Sequence, residues 1–143
     1  MYQAKYRIVL YGTDFSPSAA SAKTGLAFDQ AQESRSIATT GPRKGAPRGY
    51  GSANLVARPD LPEADSIREL LSRLESGMEA IRSAGADDIY FDAAIYWKQQ
   101  CNLAYDPDVL LRIGQLGISF WISCYEDSDD EGAEVPAEEP CEN

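Results

Sequence analysis

Between Ser66 and Ala84, the apolar residues Ile67, Leu70, Leu71, Leu74, Met78 and Ile81 recur at offsets of 3, 4, 7, 11 and 14 from the first. This is the period of an α-helix with a single apolar stripe, and such a helix is stable in water only when another element covers the stripe. Ser66 and Glu69 have the spacing of a capping box at the helix start, and Gly85 stands where a helix terminator belongs. Whatever surrounds this helix must therefore offer it a broad apolar surface.

The flanking segments supply one with a different period. Ile89, Phe91, Ala93, Ile95 and Trp97 alternate with Tyr90, Asp92, Ala94 and Tyr96, the two-residue repeat of a half-buried strand whose second face is also aromatic. Lys5 to Tyr11 is rich in β-branched and aromatic residues and stops at Gly12, which predicts a first strand, and Ile118 to Tyr125 predicts a last one. Ser16-Pro17 places an N-cap before a proline at the first helical position, and Gly25 ends a short helix there. Asp106-Pro107 opens a further helix carrying Val109, Leu110, Ile113 and Leu116, closed by Gly117. Glycines and prolines interrupt the region from Asp29 to Asp60, for which we expect short strands near Arg35–Thr39 and Ser52–Ala57 joined by a long loop. The sum is an α+β fold, an antiparallel sheet with two or three helices packed on it.

Charge sets the domain boundary. The 143 residues carry a net charge of −10, but residues 126–143 hold nine of the 23 acids and none of the 13 bases. The remaining 125 residues are nearly neutral. We therefore expect one domain over 1–125 and a disordered acidic tail over 126–143, because acids, prolines and small residues bury too little surface to offset the entropy of ordering. No apolar run approaches the roughly 18 residues of a membrane span, and the chain starts directly into a strand, so no membrane association and a cytoplasmic location are expected.

Three segments carry a resemblance. Tyr11-Gly12-Thr13-Asp14-Phe15-Ser16-Pro17, the loop Arg43-Lys44-Gly45-Ala46-Pro47-Arg48, and the closing Leu116-Gly117-Ile118-Ser119-Phe120-Trp121-Ile122-Ser123-Cys124-Tyr125 resemble, in order and content, a bacterial family known as domain of unknown function 4279. The resemblance covers about Tyr6 to Tyr125. It implies an α+β sandwich with an antiparallel sheet and no assigned activity. The chain departs from the family in its long acidic tail and in lacking a clear aromatic after the loop strand.

The residue inventory narrows the chemistry. Without histidine the chain builds no Ser-His-Asp triad, Cys-His pair or histidine-ligated zinc site. Cys101, Cys124 and Cys141 form no Cys-x-x-Cys pair and read as reduced thiols, with Cys101 and Cys124 as small buried hydrophobes. No phosphate-loop or dinucleotide glycine motif occurs, so no cofactor and no metal are expected. Asp87-Asp88 and Asp92 are the candidates for carboxylate chemistry, although adjacent acids in a loop usually face solvent.

Two surfaces remain for binding. From Ser34 through Pro59 there are five bases and no acid, and Arg43, Lys44 and Arg48 are the candidates for gripping an anion. The aromatics Tyr90, Tyr96, Trp97, Phe120, Trp121 and Tyr125 form a protein-binding surface if one sheet face lacks a helical cover. Tyr96, Trp97, Trp121 and Tyr125, with the acids Glu126, Asp127, Asp129, Asp130 and Glu131, are then the candidates for meeting a basic protein partner. The expected function is a non-catalytic inhibitor or immunity protein that neutralises a basic toxin in the cytoplasm. Direct nucleic-acid binding is not expected from a near-neutral body with an acidic tail. The alternatives are an RNA- or phosphate-ligand-binding module on the basic loop, and a carboxylate-dependent enzyme using Asp88 and Asp92.

Overall fold

The computed structural model describes residues 2–127. The elements run β1 (Tyr2–Gly12), α1 (Pro17–Thr24), β2 (Gln30–Gln32), β3 (Gly51–Val56), α2 (Glu63–Ser83), β4 (Asp88–Trp97), α3 (Pro107–Gln115) and β5 (Ser119–Glu126). The strands form one sheet in the order β2-β3-β1-β4-β5, an α+β fold with a mostly antiparallel sheet. The exception is β5, which pairs parallel to β4 from Tyr90↔Ser119 to Trp97↔Glu126. A helix joining two neighbouring strands returns the chain to its starting end, so α3 imposes this parallel pairing on a sheet expected to be antiparallel throughout.

Burial follows alternation. In β1, Tyr6, Ile8 and Leu10 turn to one side, joined by Ala53 and Leu55 of β3 and by Ile89, Phe91, Ala93 and Ile95 of β4. The stripe of α2 covers this surface, with Ile67, Leu70, Leu71, Leu74 and Ile81 buried and Met78 packed at its margin. Val109 and Ile113 of α3 and Ala20 of α1 complete the same core. All three helices therefore lie on one side of the sheet.

The ends of the elements show why local signals succeed or fail. The Ser16 hydroxyl accepts from the Ala19 N–H at 3.3 Å, and Gly25, at φ 72°, closes α1 as expected. The capping box at Ser66 does not form. α2 begins one turn earlier after Pro62, and Ser66 Oγ donates instead to the Glu63 carbonyl inside the helix. Glu63 and Asp65 favour this earlier start through the helix dipole. No strand forms over Arg35–Thr39. The partner of β3 is Gln30–Gln32, whose pairing with Ser52, Ala53 and Asn54 overrides its weak β propensity. At the other end β5 takes in Glu126, and the Asp127 N–H donates to the Trp97 carbonyl at 2.8 Å. The segment expected to be a disordered tail lies, from Ser128 onward, outside the described residues.

Two glycines allow the β1–α1 turn to sit at the top of the core. A Cβ on Gly12 would lie 2.0 Å from the Gly85 carbonyl oxygen, and one on Gly51 would lie 2.0 Å from that of Phe15. Phe15 is wedged between these backbones and fully buried. α3 is fastened to α2 by ion pairs, Arg68 with Asp106 and Asp108 and Arg112 with Glu75. Hydrogen bonds from Arg68 hold the Asp108 carboxyl below the usual carboxylate range.

Two outcomes follow from this core. Leu74→Ala is expected to lower stability by about 2–5 kcal/mol in a denaturant titration, and a change below about 0.5 kcal/mol would show that the stripe is not buried. Burial, then a 3.5 Å contact with the Tyr105 hydroxyl, pushes the Tyr6 phenol far above its ordinary pKa, and burial raises Tyr105 as well. Both hold their protons more tightly folded than unfolded. Their contribution is intact below the unfolded tyrosine pKa of about 10 and is lost as pH rises beyond it. Melting temperature should therefore fall above that pH, less steeply in Tyr6→Phe; parallel profiles would contradict the assignment.

Candidate functional site

The sheet face opposite the helices is the candidate site, and β-alternation decides which residues stand on it. β1 contributes Lys5, Arg7, Val9 and Tyr11, and β4 contributes Tyr90, Asp92, Ala94 and Tyr96. Pairing of Asp92 with Trp121 and of Tyr96 with Tyr125 puts Trp121, Ser123 and Tyr125 on the same side. Among the described residues no helix covers this face. Trp121 is 55% exposed.

The aromatic side chains are ordered across the strands. Tyr90 stacks on Trp121 with ring centroids 5.0 Å apart, and Tyr96 stacks on Tyr125 at 5.2 Å. Stacked rings at this spacing fix one another and present flat apolar surface at small entropic cost. Lys5 Nζ stands 5.5 Å from the Tyr96 ring centre, within cation–π range. Between the two stacked pairs, Arg7 Nε donates to Asp92 Oδ2 at 2.9 Å. The Asp92 residue is only 7% exposed, so the arginine pairs a carboxylate that would otherwise be nearly buried and alone.

Toward β2 the face dips into a depression of about 250 Å³. Val9 lies in it, Tyr11, Tyr50 and Tyr90 border it, and Gln30, Gln32 and Asn54 supply amide groups. Tyr11 and Tyr50 pack with centroids 5.8 Å apart. Burial, then the neighbouring Tyr11, raises the Tyr90 phenol above its usual pKa. Sequence reading missed Arg7, Tyr11 and Tyr50. The alternation of Lys5, Arg7, Val9 and Tyr11 against Tyr6, Ile8 and Leu10 was a usable signal for the first two; Tyr50 sits at a loop end and had none.

The structure separates the other candidates. Trp97 pairs with Tyr2, whose hydroxyl donates to Glu63 of α2 at 3.3 Å, so Trp97 lies on the helix side with its neighbour Glu126. Neither joins Tyr96, Trp121 and Tyr125. Asp127 is exposed just beyond β5, while Asp129, Asp130 and Glu131 fall outside the described residues. Cys101 is half-buried against the core, but Cys124 is exposed, because the edge strand β5 is only partly covered by α3.

The basic loop is a self-braced turn. Ala38 and Gly49 donate backbone N–H groups to Ala46 and Ser34, and an Ile37↔Pro47 bridge closes it. Arg43 Nη1 donates to the Arg48 carbonyl at 3.0 Å, and Arg48 Nε donates to Ser36 Oγ at 3.1 Å. Both guanidinium groups thus spend donors on the loop itself. Lys44 is exposed, and Arg58 is paired with Asp60. The carboxylates are equally unsuited to joint chemistry: Asp87 and Asp88 face solvent, Asp92 is held by Arg7, and Asp88 and Asp92 are four strand residues, roughly 13 Å, apart. Among the described residues no group of three or more Cys, Asp or Glu is placed to hold a metal ion, and no helix is long and apolar enough to cross a membrane.

The fold and face thus define an α+β domain with one helix-covered and one open, aromatic sheet surface. Comparison with protein-family models, curated proteins and solved structures returned no match to this chain.

Removing the arginine tests the electrostatics of the face. Arg7→Ala is expected to destabilise the fold by about 1–3 kcal/mol, since it strands Asp92, whereas Lys5→Ala should change stability by less than about 0.5 kcal/mol. Equal effects in thermal unfolding would show that the Arg7–Asp92 pair is an ordinary surface contact.

Proposed function

We propose that this chain is a non-catalytic binding protein whose open sheet face receives a protein partner, with a basic toxin acting in the cytoplasm as the partner it suits. The observation that carries the reading is the placement of all three helices on one side, which leaves Tyr11, Tyr90, Tyr96, Trp121 and Tyr125 on a face without helical cover. Tyrosine and tryptophan anchor protein interfaces because they bury much area with few rotatable bonds. The pinned Arg7–Asp92 pair and the amides of Gln30, Gln32 and Asn54 add hydrogen-bonding specificity between the rings. The nine acids from Glu126 onward supply attraction for a cationic surface and a faster encounter with it. An inhibitor of this kind needs no catalytic residues, and the chain has no histidine.

Binding of RNA or a phosphate ligand at Arg43, Lys44 and Arg48 has weaker support, because the two arginines brace their own loop. A carboxylate enzyme has weaker support still, given the separation of Asp88 and Asp92.

Titration against candidate basic toxin domains, and against a single-stranded RNA, separates these readings. Trp121→Ala is expected to weaken protein binding by about 2 kcal/mol or more with the fold intact, and Arg43→Glu with Lys44→Glu should leave it unchanged. The reading fails if the loop substitutions abolish a salt-sensitive RNA complex while no toxin domain binds. A chain ending at Asp127 should associate more slowly at low salt; an unchanged rate would remove the acidic segment from the encounter.

A further inference from the structure

Among the described residues β5 is the outermost strand on the α3 side, hydrogen-bonded to β4 alone. An edge strand presents a row of unpaired N–H and C=O groups, and soluble proteins usually blunt it with lysine, proline, a bulge or an inward charge. From Ser119 to Tyr125, S-F-W-I-S-C-Y, the strand has no lysine, proline or bulge, its register with β4 is unbroken, and its one charge, Glu126 on the helix side, stands at its last position.

Both faces beside that edge are apolar. On the open face Trp121 and Tyr125 each stack one ring face on β4, on Tyr90 and Tyr96, and both remain exposed. On the helix face Ile122 is 47% exposed and Leu110 of α3 is 46% exposed. Val109 and Ile113 point α3 into the core while Arg112 reaches Glu75 on α2. Leu110, about 100° round from Val109 and away from Arg112, therefore faces outward past β5.

We propose that β5 pairs antiparallel with β5 of a second copy of this chain, about a two-fold axis through Ser123, joining the two sheets into one. A two-fold axis normal to the sheet keeps helix side with helix side, so opposed residues must share a face. Centring on Ser123 sets Trp121 against Tyr125 of the second copy and Ile122 against its Cys124. The stacked pairs then continue in a row across the junction, from Tyr90 and Trp121 to the second copy's Tyr125 and Tyr96. Centring on Ile122 sets Trp121 against Ser123, and centring on Cys124 sets Ile122 against Glu126; both lose apolar contact. Trp121, Tyr125, Ile122 and Leu110 with the strand edge offer at most about 500 Å² per copy, so pairing buries up to about 1,000 Å², the least a specific interface needs. The two Glu126 residues stand six positions apart, roughly 20 Å, well beyond the screening length of about 8 Å at physiological salt. The pairing engages the outer edges of Trp121 and Tyr125, rings the proposed partner would also meet, but it does not depend on the identity of that partner.

Sedimentation equilibrium of the full chain under reducing conditions, from micromolar to submillimolar concentration, tests this. The expected mass rises from 15.6 kDa toward that of two chains. Trp121→Lys and Ile122→Lys should each weaken association at least tenfold, with circular dichroism and the melting of the dilute monomer unchanged. A mass that stays at 15.6 kDa throughout overturns the proposal, as does a dimer that neither substitution weakens. The register has its own test in a chain carrying Cys101→Ser, Cys124→Ser and Cys141→Ser. There Ser123→Cys should cross-link on mild oxidation and Ile122→Cys should not; the reverse pattern overturns the Ser123 axis.

Discussion

The burial of one apolar stripe, Ile67 to Ile81 of α2, against one face of β1, β3 and β4 is the contact on which the rest of this molecule depends. The helix cannot be stable alone and the sheet cannot hide both of its faces with the helices available. α1 and α3 flank α2 on the same side, α3 through the Arg68 and Arg112 ion pairs, so helical cover is committed to that side. The opposite face is left without helical cover by this commitment, with Phe15 wedged between the Gly12 and Gly51 backbones to hold the β1–α1 turn against the core.

An uncovered sheet face usually carries a polar surface, and here it carries rings. Their energetics differ from those of scattered surface aromatics, because Tyr90–Trp121 and Tyr96–Tyr125 are already stacked and lose little freedom when a partner covers them. The Arg7–Asp92 pair between them adds order at the centre of the face. Charge is arranged on a longer scale: the body is nearly neutral, and the acids gather in sequence from Glu126 onward, with Glu126 and Asp127 at the end of β5, the edge of the sheet opposite β2. In the proposed reading this charge would attract a cationic protein without loading the rings with buried charge, whose desolvation would cost more than it returned.

Much of this was legible in the sequence wherever a period ran long enough. The α2 stripe, the alternation of β4 and the Ser16-Pro17 and Gly25 boundaries of α1 each follow from local physics and each appear in the structure. What was not legible depended on pairing. Nothing in Gln30-Ala31-Gln32 favours a strand, and it is one only because Ser52 to Asn54 lies beside it. The separation of Trp97 from Trp121 was half visible: Trp97 continues the inward series from Ile89, but the parity of β5 requires its register with β4. Arg7 and Asp92 are 85 residues apart in sequence, and no single-sequence period joins them. The basic loop misled for a related reason, since a cluster of charges gives no sign of whether its arginines face a ligand or, as Arg43 and Arg48 do, their own backbone.

The central claim is that the Trp121 face is open in the isolated chain and closed by a protein partner. Acrylamide quenching of the Trp97→Phe variant, in which Trp121 is the remaining tryptophan, measures this directly in dilute solution. The account predicts strong quenching of the free monomer, with quenching reduced and emission shifted to shorter wavelength when a toxin domain binds. A Trp121 already shielded in the dilute free chain, or one equally quenched with the partner bound, would contradict it.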